Sequence, residues 1–311
     1  MAKVIDLFKR RKAQATEQAP GDIAGIIGGY SLEVMPRTAA KVESFAEILP
    51  ADTLVYIAHI DGTPIEDMVS TAARLAGEGF DVMPHIPARI VPDRATLDDW
   101  LARYQGEAGV DKALLLGGGL DAPKGDFHCS MQLMETGLFD ARGFKRLHVA
   151  GHPEGNKDID PDGGEKVVME ALRWKQDFAA RTDAQMAIAT QFCFEVPPVL
   201  EWAARLREAG IDMPIHLGVA GPAKLQTLVK FAMACGVGAS ARVLTRRAAD
   251  VTKLMMPFTP EDFLRELTAA KAADPALQVE RVHFFPLGGI KATADFTRSM
   301  TGAAPKAAAQ A

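Results

Sequence analysis

Cysteine is scarce in this chain. The 311 residues hold three, Cys129, Cys193 and Cys235, whose spacings fit neither a CxxC pair nor a zinc ribbon, and an odd count argues against a disulfide framework. Reduced thiols in a reducing, cytoplasmic compartment are expected. Long apolar runs are missing as well. No window approaches the roughly 18 apolar residues of a membrane span, and the N-terminal MAKVIDLFKRRKAQ has only a five-residue mixed apolar stretch, too short for a signal-peptide core. No membrane partner is expected. Positive charge is not in excess either: 35 basic residues stand against 40 acidic ones, a net of −5. Nothing therefore advertises nucleic acid, and an anionic ligand must be met by local cations. The chain also lacks a GxGxxG after its first strand, a GxxxxGK[ST] loop, a GxSxG and an HExxH. With neither an HxH on the first strand nor clustered carboxylates, no metal site is expected.

What is present is regular. Hydrophobic residues make up 48% and charged residues 24%, which excludes a disordered chain or a coiled coil and leaves enough apolar material for a large core. From residue 29, short apolar runs alternate with helical patterns. Strands are expected at 29–35, 53–58, 81–86, 112–116, 145–150, 185–191, 213–218 and 281–286, near-continuously apolar as strands buried on both faces should be. Amphipathic helices are expected at 64–78, 93–105, 129–139, 163–180, 196–209, 221–234, 259–272 and 290–300. Asp93 is placed as an N-cap, and Gly79, Gly109, Gly143, Gly210 and Gly236 stand where helices should end. Eight strands, each followed by a helical segment, predict an α/β fold of the (β/α)8 TIM-barrel type, with an open doubly wound sheet as the alternative. The expected layout is a polar N-terminal extension over 1–22, the barrel over 23–301 and a flexible tail over 302–311. The stretch 238–256 reads as an extra helix or cap between strands seven and eight.

Barrel active sites form at the C-terminal ends of the strands, so the residues there carry the functional reading. Strand one ends at Glu33, the only carboxylate in its apolar run; a partly desolvated carboxyl at a barrel mouth suits a general acid. Strand two ends at His59, strand three at Pro84-His85, strand four at Gly117-Gly118-Gly119, strand five in Ala150 to Asn156, and strand six at Thr190-Gln191. His85 and His152 are site candidates because proline and glycine punctuate a loop just beyond them. His216 and His283 sit inside apolar runs and read as packed core residues. Three successive glycines serve a tight turn or a close backbone approach to a ligand. Lys175 falls in a helix, LRWKQDF, and reaches a phosphate only if that helix borders the mouth. Cys193 reads as a core thiol.

In order along the chain, these strand ends resemble the methylenetetrahydrofolate reductase family, especially its short bacterial form. The resemblance runs from about residue 30 to 290. It rests on Glu33-Val34-Met35-Pro36-Arg37-Thr38, on Pro84-His85, on Ala150-Gly151-His152-Pro153-Glu154, on Leu172 to Lys175, and on Ile188-Ala189-Thr190-Gln191-Phe192-Cys193-Phe194-Glu195. It implies a flavin-dependent oxidoreductase that interconverts 5,10-methylenetetrahydrofolate and 5-methyltetrahydrofolate, with FAD as cofactor, NAD(P)H as co-substrate and a homo-oligomeric assembly. Glu33 would then be the acid that protonates N10 of the folate. His59, His85, Gly117, Gly118, Gly119, Ala150, His152, Asn156 and Lys175 would line the cofactor, and Gln191 and Asp121 the substrate. One departure stands out. The family's fourth strand usually ends in Arg-Gly-Asp, where this chain has Gly117-Gly118-Gly119, with Asp121 two places on. A folate- or flavin-binding subunit without its own activity, or a reductase that works without flavin, is the alternative.

Overall fold

The structure, a computed structural model, describes residues 23–51, 53–234 and 257–309. The segments 1–22 and 238–256, with Cys235 and Gly236, lie outside these described residues. Eight strands run parallel: β1 (Ser31–Val34), β2 (Leu54–Ile57), β3 (Asp81–Pro87), β4 (Lys112–Leu116), β5 (Arg146–Gly151), β6 (Gln185–Cys193), β7 (Ile215–Ala220) and β8 (Val279–Phe285). They pair in sequential order, and β8 pairs back onto β1, closing a (β/α)8 barrel. Among the described residues the helices are α1 (Ile23–Ile27), α2 (Pro36–Ala39), α3 (Ile65–Gly77), α4 (Arg94–Ala108), α5 (Ser130–Glu135), α6 (Leu138–Ala141), α7 (Lys166–Ala179), α8 (Val196–Glu208), α9 (Leu225–Ala234), α10 (Glu261–Ala273) and α11 (Ile290–Thr301). None is long and apolar enough to cross a membrane.

Local chemistry sets several of these boundaries. The Asp93 carboxylate accepts a hydrogen bond from the Thr96 amide at 2.7 Å and caps α4 at its start. Gly109 ends the same helix at φ 64°, a left-handed conformation that glycine adopts without a Cβ clash. The barrel then sorts side chains by parity, since alternate strand residues face opposite ways. Leu32, Val55, Ile57, Ile86, Leu147, Val149, Ile215, Leu217, Val282 and Phe284 face outward into the main core under the helices. Leu54, Tyr56, Met83, Leu114 and Ala189 face inward and fill the barrel.

Three expectations about organisation change. The first unit has no full helix after its strand, only α2, because Pro36 starts a turn that stops at Ala39. The helix expected over 129–139 is split into α5 and α6 at Gly137, φ 68°. The tail expected to be flexible is docked as far as residue 307. Lys306 Nζ donates to the carbonyls of Glu78 at 2.8 Å and Gly79 at 2.6 Å, and the Lys306 and Ala307 amides bond Leu49 and Ala46. Its ammonium also lies over the Phe80 ring.

Candidate functional site

Glu33 and His85 meet at the rim of the barrel. Both alternate inward, from β1 and β3, and Glu33 Oε2 lies 3.2 Å from His85 Nε2. The side chains are 21% and 11% exposed, so the pair is reachable from the mouth. The contact is close enough for an ion pair but lacks hydrogen-bond alignment, and His85 Nε2 makes no hydrogen bond among the described residues. His59 sits nearby with its ring against Trp100, centroids 5.1 Å apart. Its Nε2 bonds the Thr63 carbonyl at 3.0 Å, while its buried Nδ1 has no partner. Burial pushes the His59 imidazole below its ordinary value.

On the β5 side of the mouth, His152 and Asn156 lie 3.5 Å apart, and the Lys175 charge acts on His152. Lys175, expected on pattern to be a surface lysine unless its helix bordered the mouth, is buried at 6% exposure. It makes no hydrogen bond with another described residue. Loss of hydration lowers its ammonium to about 8. Burial, with the Lys175 charge second, lowers His152 to about 4. The start of α7 is already satisfied from within the chain: the buried Asp160 carboxylate accepts from the Val167 and Val168 amides at 2.9 and 3.0 Å.

The β6–β8 side of the mouth is apolar. Phe192, Phe194, Phe258 and Phe285 contact one another edge-on, with centroids 5.3–5.7 Å apart. The pairing of β6 with β7 shifts register between Ala189 and Phe192, and this bulge re-aims the strand end that carries Gln191. Gly218 opposite permits it, since a Cβ there would lie 2.6 Å from the Gln191 and Thr190 backbone. The Gln191 Oε1 accepts from the Phe192 amide at 3.1 Å. Cys193 is a buried thiol, as its pattern indicates, and burial pushes its ionisation up.

The loop after β4 is a packed turn. Gly118 adopts φ 96°, and a Cβ there would lie 3.1 Å from Pro87 Cβ. The Gly117 carbonyl accepts from the Arg89 amide at 2.9 Å. The Arg89 guanidinium, the cation nearest this turn in the hydrogen-bond pattern, is committed to the Leu120 and His128 carbonyls at 2.6 and 3.1 Å. Lys124 pairs with Asp61 of the loop after β2. Asp121 is exposed and makes no hydrogen bond or ion pair with another described residue, so the structure does not join it to Glu33. Two surface clefts, of about 280 and 350 Å³, lie away from the mouth. One is lined by Met134, Gly137, Phe178 and Arg181, the other by Lys112, Lys145 and Arg146 at the start of β4 and β5.

No family model matches the chain. Among solved structures it is similar to a protein of Aquifex aeolicus VF5, at 13% identity over 80% of this chain and 93% of that one, TM-score 0.38. It is similar to pyruvate carboxylase from Rhizobium etli, at 10% identity, TM-score 0.39; the match covers 80% of this chain and 28% of that multifunctional enzyme. The apo form of 3-keto-D-glucoside 4-epimerase from E. coli matches at 14% identity over 79% and 96%, TM-score 0.37.

Beneath the mouth lies a cluster that the sequence reading missed as a set. Tyr56, His148, His216 and His283 all face into the barrel and are 0–2% exposed. The Tyr56 hydroxyl lies 2.6 Å from His148 Nδ1 and 3.2 Å from His216 Nδ1, and Ser31 Oγ lies 3.0 Å from His283 Nδ1. His216 and His283 are core residues, as expected, but they belong to a polar core. Burial holds all three imidazoles below their ordinary value, so they are neutral. The available signal was parity: each of these four side chains is flanked on its strand by two outward-facing apolar residues.

Proposed function

We propose that the chain is an oxidoreductase of folate one-carbon chemistry, interconverting 5,10-methylenetetrahydrofolate and 5-methyltetrahydrofolate with FAD bound and NAD(P)H as co-substrate. The observation that supports it most directly is the Glu33–His85 contact at the barrel rim, 3.2 Å long and open to the mouth. Opening the methylene bridge needs N10 to leave as an amine, and an amine leaves once protonated. Glu33 supplies that proton at its carboxyl, and in the reverse direction takes it back. His85, within ion-pair reach, orients the carboxyl. The partly exposed Phe194 and Phe285, packed edge-on against the buried Phe192, offer an apolar wall to a planar ring, and Gln191 presents an amide beside it.

FAD, when bound, supplies the hydride chemistry that side chains cannot perform. The residues present fit such a group. Among the described residues the buried His59 Nδ1 and His85 Nε2 make no hydrogen bond, and Lys175 is a buried cation that makes none either. Lys175 would face the anionic part of the cofactor, because Gly117 replaces the family's arginine and Arg89 is already committed to carbonyls. The test is reconstitution with FAD, followed by the visible spectrum before and after anaerobic addition of methyltetrahydrofolate. A flavin band that appears and then bleaches supports the reading; a protein that takes up no flavin removes the flavin part of it. The glycines at 117–119 favour a second reading, a folate-binding subunit that needs a partner for turnover. Calorimetric folate binding without turnover in either direction would select it.

A further inference from the structure

A bulge disrupts the ladder of a sheet, and a buried backbone amide there must still find an acceptor. The shift between Ala189 and Phe192 meets this demand with the side chains of the two residues it displaces. The Gly218 amide on β7 donates to Thr190 Oγ1 at 2.9 Å. The same hydroxyl donates its one proton to the Gln191 carbonyl at 2.8 Å. Thr190 is buried at 3% exposure. Beyond Gln191, the Phe192 amide donates to Gln191 Oε1 at 3.1 Å. The Cys193 thiol reaches the Gln191 carbonyl as well, at 3.6 Å. These contacts decide which end of the carboxamide is which. A backbone N–H donates only to an acceptor, so Gln191 turns Oε1 toward Phe192 and Nε2 away from it. Nε2 carries two N–H groups and makes no hydrogen bond with another described residue. Gln191 is half-buried at the end of β6, so the free end it offers a ligand consists of donors.

We propose that Thr190 is a positioning residue: its hydroxyl spans the register shift from the Gly218 amide to the Gln191 carbonyl and holds the Gln191 carboxamide with its N–H groups toward the ligand. Thr190 touches no ligand itself. Gly218 is part of the device, because a Cβ there would lie 2.6 Å from the Gln191 backbone and push the bulge out of hydroxyl reach. The bridge needs one acceptor and one donor on the same short side chain, which serine also supplies and valine does not. Resting on the folate reading, the ring edge that meets Gln191 carries acceptors, an oxo group or an unprotonated ring nitrogen.

Amide hydrogen exchange of the resting protein, followed by NMR, tests the bridge without any ligand. Thr190→Val keeps the shape and removes the hydroxyl; it should speed exchange at the Gly218 amide by about tenfold, and at the Phe192 amide too, because Gln191 is released. Thr190→Ser should restore both. Phe192 exchange indifferent to Thr190→Val would overturn the proposal, since the hydroxyl would then not hold Gln191. Calorimetry with 5-methyltetrahydrofolate reads the consequence. Thr190→Val should weaken binding about fivefold to tenfold, with Thr190→Ser near wild type and transfer from NAD(P)H to menadione unchanged. Unchanged folate binding, or equal loss in both assays, would also overturn it. The wild type carries a readout that needs no variant: folate should shift the Gln191 side-chain N–H resonances and leave the Phe192 amide in place. A Phe192 amide that moves as far would show that the carboxamide turns to bind, against the proposal. Should the wild type bind no folate, the folate reading fails while the exchange pattern still decides the part played by Thr190.

Discussion

In the middle of the barrel Tyr56, His148, His216, His283 and Ser31 are buried, and each has a hydrogen-bond partner. One layer higher, at the mouth, His59 Nδ1, His85 Nε2 and Lys175 are nearly as buried and make no hydrogen bond among the described residues, His85 having only its ion-pair contact with Glu33. An unpaired buried polar group costs about 1–3 kcal/mol. Thr53 Oγ1 and Tyr104 Oη are also buried without a hydrogen bond among the described residues, so an open polar group alone marks no site; those at the mouth differ in lying where a ligand can supply the missing partner. The paired layer cannot bind a ligand without first breaking its own bonds. The unpaired layer gains by binding one.

The sharpest test of this division is Glu33→Gln. It should lower folate turnover by roughly a hundredfold or more, while flavin-only transfer from NAD(P)H to menadione stays near the wild-type rate. Equal loss in both assays would move Glu33 from the reacting layer to the structural one.

Lys175→Met comes next. With its ammonium held at about 8 against an ordinary 10.5, the folded chain keeps a charged lysine at neutral pH at a cost of about 3 kcal/mol. Between these two values the unfolded chain binds the proton and the folded chain does not, so stability rises with pH there. The variant should be more stable than wild type below pH 8 in chemical denaturation, lose that slope, and bind FAD more weakly. Lower stability would show that the lysine has a structural partner.

Tyr56→Phe should destabilise by about 1–3 kcal/mol, because His148 and His216 lose their common partner. His85→Phe at the unpaired mouth should stay within about 1 kcal/mol of wild type. Similar losses would erase the difference between the layers. The smallest effect is in pH. His152 is held at about 4 against an ordinary 6.5, so the unfolded chain binds the proton first as pH falls between them. Stability should drop by about 1 kcal/mol from pH 6.5 to 5.5, and His152→Asn should flatten the slope in thermal unfolding.

Much of the fold was legible because it is local. The α4 cap joins Asp93 to Thr96, three residues on, and the helix periodicities matched the observed spans within a few residues except over 129–139, where Gly137 divides the helix. Glu33 could be read because it is the only carboxylate in its strand's apolar run, and His85 and His152 because proline and glycine mark the chain just beyond them. Lys175 could not be assigned a depth from its helix pattern, since burial depends on how α7 lies against the barrel. Tyr56 and its histidines were hidden by the very apolarity that identified their strands.

The sequence by itself determined the eight strand segments and the carboxylate at the end of the first, because alternation and periodicity are written in neighbouring residues. The tertiary structure alone decided which polar groups meet. Ser31 and His283 are 252 positions apart, and Tyr56 and His216 are 160. Only closure of the barrel, which turns alternate side chains of every strand toward one axis, makes them neighbours and brings Glu33 within 3.2 Å of His85 at the mouth.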